Sequence, residues 1–67
     1  MTYYLYCDDH LVDIIISNEN EIDKVFNNFI ISMLNSNQSG TVVLKELGFK
    51  VIKVVVLELW TNNNMTI

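Results

Sequence analysis

The stretch Val51-Ile52-Lys53-Val54-Val55-Val56-Leu57-Glu58-Leu59-Trp60 decides the fold. It is the most apolar and most β-branched run in the chain. Stiff β-branched side chains suit a pleated strand. Alternation assigns Ile52, Val54, Val56 and Trp60 to one face. Val51, Val55, Leu57 and Leu59 take the other, with Lys53 among them. A strand wetted on one side shows polar residues along that side. Here only Lys50, Lys53 and Glu58 interrupt the pattern. Two readings fit: a central strand covered on both faces for much of its length, or a core strand with one loosely covered face.

Upstream, residues 41–47 read in two ways. Thr41, Val42 and Val43 suit a strand, which would form a hairpin to the final strand. Gly48 would then take the left-handed position of a three-residue loop. Alternatively, Thr41 caps a short helix that ends at Gly48, with Phe49 packing back on Leu44. Residues 35–40 form a polar connector rich in Asn and Ser.

The segment before that connector has helical spacing. Ile22, Val25, Phe26, Phe29, Ile30, Met33 and Leu34 recur at intervals of three and four and share one face. Asp23, Lys24, Asn27, Asn28 and Ser32 fill the remainder, with Ile31 an apolar exception. Asn18 is a capping residue, and Glu21 stands three positions on, where it can reach back. Glu19, Glu21 and Asp23 place negative charge in the first turns, where the helix dipole favours it.

At the N-terminus, residues 2–8 read as a strand. Tyr3, Leu5 and Cys7 lie on one face, Tyr4, Tyr6 and Asp8 on the other. Asp8-Asp9-His10 is short enough for a hairpin loop. Residues 11–17 then return, with Val12, Ile14 and Ile16 as the core face and Leu11, Asp13, Ile15 and Ser17 opposite. The fold class that follows is α+β: a small antiparallel sheet of three or four strands packed on one amphipathic helix. The order is two strands, the helix, a strand or short helix, and a last strand. Residues 1–60 are expected to form a single domain and 61–67 a disordered tail.

Composition bounds the function. A chain of 67 residues buries only about 60% of its unfolded surface and is marginal alone. Small folds add a disulfide, a metal or a partner. Cys7 is the only cysteine, so no disulfide forms within the chain. A hydrophobic content of 51% favours a partner, because a small body cannot hide that much apolar surface. The formal charge is −4 and there is no arginine, which disfavours direct nucleic-acid binding. No segment reaches the ~20 apolar residues of a membrane span. The N-terminus lacks a basic region and Asp13 interrupts the apolar run 11–16, so no secretory leader is expected. A lone cysteine suits the reducing cytoplasm. Nine asparagines and eight isoleucines, with no alanine or proline, are the usage of an AT-rich genome. Small viral or mobile-element accessory proteins often share it.

Cys7 and His10 supply half of a zinc ligand set, and the chain offers no second pair. A polar hairpin tip explains them more simply. As a catalytic pair they lack an orienting third group, and the adjacent acids raise a thiol's pKa. No phosphate loop, Ser-His-Asp set or EF-hand spacing is present, and no enzymatic activity or cofactor is expected. Aromatics are enriched at interface hot spots. The expected contact residues are therefore Tyr4, Tyr6, Val51, Val55, Leu57, Leu59 and Trp60, weighed against ordinary sheet packing. The chemistry suits a small acidic homodimer or higher homo-oligomer that docks on a protein partner. The alternatives are a self-assembling structural subunit, a metal or ligand sensor using Cys7 and His10, and a weak mimic of nucleic-acid charge.

Overall fold

A computed structural model describes residues 1–59. The elements run β1 (Thr2–Cys7), β2 (His10–Ile16), α1 (Glu19–Asn35), β3 (Gly40–Glu46) and β4 (Lys50–Leu57). The strands form one sheet in the order β2-β1-β3-β4, and every neighbouring pair is antiparallel. This is the α+β fold expected from the sequence, with residues 41–47 resolved in favour of the strand. Both β2 and β3 run against β1, so they are parallel to each other. The helix is the crossover that carries the chain from one side of β1 to the other.

β1 and β2 are joined by the two residues Asp8 and Asp9, both left-handed at φ 49° and 66°. A two-residue hairpin loop with positive φ at both positions matches the twist of its strands. Aspartate tolerates that region better than most side chains. His10, expected in the loop, is instead the first residue of β2 and faces Cys7. The Asp8 carboxylate also accepts from the Thr41 backbone N–H at 2.9 Å. A Cβ at position 40 would come within 2.9 Å of that carboxylate, so a larger residue there would have to displace the Asp8 side chain.

The helix is capped at both ends. The Asn18 side chain accepts from the Glu21 N–H at 3.1 Å. The Glu21 carboxylate reaches back, but to the Ser17 hydroxyl at 3.0 Å rather than to backbone. At the other end Asn37 is left-handed at φ 54°. Its N–H donates to the Leu34 carbonyl, and that of Gln38 to the Met33 carbonyl, a Schellman closure. Ile22, Phe26 and Met33 are buried, with Val25, Phe29 and Ile30 partly so. Leu34 is the one member of the expected stripe left largely exposed.

These side chains meet Tyr3, Leu5, Ile15, Val42 and Leu44 to form the core. The faces of two strands differ from the sequence expectation. On β2, Ile15 is buried while Val12, Ile14 and Ile16 are exposed. The pairing of Ile15 with buried Tyr3 fixes this, and the register slips near Val12. β4 lies at the edge of the sheet, not at its centre. Pairing of Val42 with Val55 and of Leu44 with Lys53 turns those β4 side chains toward the helix, and Leu57 packs there too. Val55 and Leu57, expected on the uncovered face, are thus on the covered one. A second slip near Ile52 brings Val51 onto the side of Val54 and Val56.

The β3–β4 loop contains Gly48 at φ 91°, as the hairpin reading requires, followed by Phe49 at φ 66°. The Phe49 N–H closes the turn onto the Glu46 carbonyl at 2.8 Å. Two substitutions test this turn chemistry. Asp9→Gly relieves a left-handed aspartate and is expected to raise stability by about 0.5–1 kcal/mol. Gly48→Ala forces a Cβ into the same region and is expected to cost at least about 1 kcal/mol. Urea midpoints moving in those opposite directions bear out the two loops, and unchanged midpoints contradict them.

Candidate interaction surface

The helix covers one face of the sheet, and the register defines the other. Residues alternating away from the core are Thr2, Tyr4 and Tyr6 on β1, with Ile14 and Ile16 on β2. β3 adds Thr41, Val43 and Lys45, and β4 adds Val51, Val54 and Val56. Lys45 is the only charge among them. Ile16 is 82% exposed and Val56 62%. This surface is apolar, four strands wide, and uncovered among the described residues.

Aromatic contacts order its middle. The Phe49 ring stacks on Tyr4 with centroids 5.9 Å apart and planes at 22°. The Lys45 ammonium lies 4.8 Å from the centre of the Tyr6 ring, a favourable placement over the negative face of the π system. Of the expected contact residues, Tyr4, Tyr6 and Val51 share this surface. Val55 and Leu57 do not. Leu59 is exposed just past the end of β4, and Trp60 lies outside the described residues, as does the tail expected over 61–67. Parity alone puts Ile14 and Ile16 on the core face of β2, and Val54 and Val56 on the face of β4 opposite the expected contact residues. Both parities of β2 and β4 are apolar, so alternation alone carried no signal for them.

The helix and the first hairpin carry most of the acids. Lys53 reaches inward to pair with Asp23, and its ammonium lies 5.5 Å from the centre of the Phe26 ring. An open cleft of about 600 Å³ lies between the helix start and the beginning of β4. Tyr3, Glu19, Asp23, Glu46 and Lys50 help line it. Burial pushes the Tyr3 phenol up, and the Glu19 and Glu46 carboxylates add to this by opposing a phenolate. Both effects favour the neutral phenol.

Cys7 and His10 are cross-strand neighbours at the end of the first hairpin. Cys7 is half-buried against the core. Burial raises its pKa, and the Asp8 carboxylate raises it further. Among the described residues no three Cys, His, Asp or Glu side chains gather in a metal-holding arrangement. No helix among them is long and apolar enough to cross a membrane.

The chain matches no protein-family model, no curated protein and no solved structure. Its functional reading therefore comes from surface chemistry. The thiol provides a direct check of the hairpin end. Alkylation of Cys7 is expected to be slow near neutral pH, with its midpoint above the ordinary thiol range. Asp8→Asn keeps an acceptor for Thr41 and removes the charge, so the midpoint is expected to fall part of the way back. A fast reaction at neutral pH would contradict the placement.

Proposed function

We propose that this chain is a non-enzymatic protein-binding protein that works as a homo-oligomer and regulates or blocks its partner. The observation that carries the reading is the open apolar face. Contiguous apolar surface of this breadth marks an interaction site in soluble proteins. Burying one Val or Ile side chain fully is worth about 1.5–3 kcal/mol, so leaving several half-exposed forgoes much of the stabilisation they offer. The acids stand mainly on the helix and the first hairpin, and only Lys45 interrupts the open face. That segregation leaves the apolar face fit for contact and the opposite side fit for solvent or a basic partner surface.

Enzymatic use has little support. The one thiol is held protonated, and His10 is exposed at a strand end with no described orienting partner. The cytoplasm remains the compartment that suits a lone cysteine. Sedimentation equilibrium at micromolar concentration tests the oligomeric part. The expected molar mass is at least twice the 7.8 kDa of one chain. A mass of one chain across that range would overturn the reading.

A further inference from the structure

The two edges of the sheet differ, and the difference indicates where copies meet. The β2 edge is guarded. Its register slips near Val12, and the Asp13 carboxylate accepts from the Ile14 backbone N–H at 2.8 Å. A bulge and a charge are the usual devices that stop an edge from pairing. The β4 edge has a slip only near its start. From residue 53 to 57 it runs regularly as Lys-Val-Val-Val-Leu, with no proline and no acid. Its single lysine is drawn over the helix side by Asp23 and Phe26, away from the role of an edge guard. Among the described residues no segment other than β3 makes backbone hydrogen bonds to this run. Long apolar edges of this kind are templates for another strand.

We propose that the occupant of this edge is a second copy of the chain, joined through residues 53–57 about a two-fold axis at Val55. This rests on the homo-oligomer reading above and adds the surface and register. The axis follows from the regular run, whose middle residue is Val55. Antiparallel pairing then sets Val55 against Val55 of the partner subunit and Val54 against Val56 of the partner subunit. Lys53 falls opposite Leu57 of the partner subunit. No like charges stand opposite each other, which is the condition that a −4 chain must meet to pair with itself. Glu58 lies beyond the paired run. The contact is self-complementary, as two-fold symmetry requires.

The competing arrangement stacks the two open faces. It would bring Lys45 of both copies into one apolar contact, at the desolvation cost of buried charge. Edge pairing leaves Lys45 over Tyr6 in solvent. It also sets two open faces side by side in one eight-stranded sheet. That doubles the apolar surface available to a protein partner.

Cysteine crosslinking tests the register. Opposed residues of antiparallel strands have Cα atoms about 4.5–5.5 Å apart, within disulfide range. In a Cys7→Ser background, Val55→Cys is expected to oxidise in air to a disulfide-linked dimer in most molecules. Val43→Cys, in the middle of the open face, is expected to stay unlinked. Linkage at Val43 without linkage at Val55 overturns edge pairing but leaves the homo-oligomer reading intact. A two-chain mass with no linkage at Val55 does the same. A single-chain mass removes both. Hydrogen exchange of the unaltered chain supplies a readout independent of the variants. Amide protection within residues 53–57 is expected to rise at least tenfold between concentrations below and above assembly. Protection there that does not change with concentration overturns the proposal.

Discussion

One helix covers one face of a sheet. A 17-residue helix is about 26 Å long and about 10 Å across, the width of about two strands spaced about 4.8 Å apart. Here it spends its apolar stripe on Tyr3, Leu5, Val42 and Leu44, the inward residues of the two central strands. Everything on the reverse side of those strands is left without cover from the described chain. The open face, the small core and the inward lysine all follow from that arithmetic.

The core is correspondingly slight. Among the described residues eight side chains are buried, and all of them come from the helix, the central strands and Ile15 of β2. No β4 side chain is among them; Val55 and Leu57 pack against the cluster while remaining half-exposed. Local devices stabilise what packing does not: a capped helix, a carboxylate that ties the first hairpin to β3, and the Lys53–Asp23 pair on the β4 side. Among the left-handed non-glycine residues described, Phe49 is the one with a bulky side chain. A phenylalanine at positive φ is uncommon, and Phe49 holds that conformation while stacking on Tyr4 at the open face. The ring adds exposed aromatic area to the open face.

The parts legible in the sequence are those where one parity or period was clearly favoured. The helix stripe and its Asn18 cap, the faces of β1 and the positive φ at Gly48 all carried such a bias. β2 and β4 did not. Ile14, Ile15 and Ile16 are interchangeable to an alternation argument, as are Val54, Val55 and Val56. Only pairing with Tyr3 and with Val42 decides which of them turns inward. The slips near Val12 and Ile52 shift parity within each strand and leave no compositional mark. The centre-or-edge question for β4 had the same cause. An apolar edge strand and a buried central strand have one composition when the edge serves contact rather than solvent. Of the open face, Tyr4, Tyr6 and Val51 were legible as contact residues, while Ile14, Ile16, Val54 and Val56 were not.

The proposed homo-oligomer couples folding to association. A protein that folds and associates together has an unfolding midpoint that depends on its concentration. Thermal unfolding followed across about two decades of chain concentration reads this directly. The expected result is a midpoint that climbs steadily with concentration. A single sharp transition at one temperature throughout, from a chain that sediments alone, would contradict it.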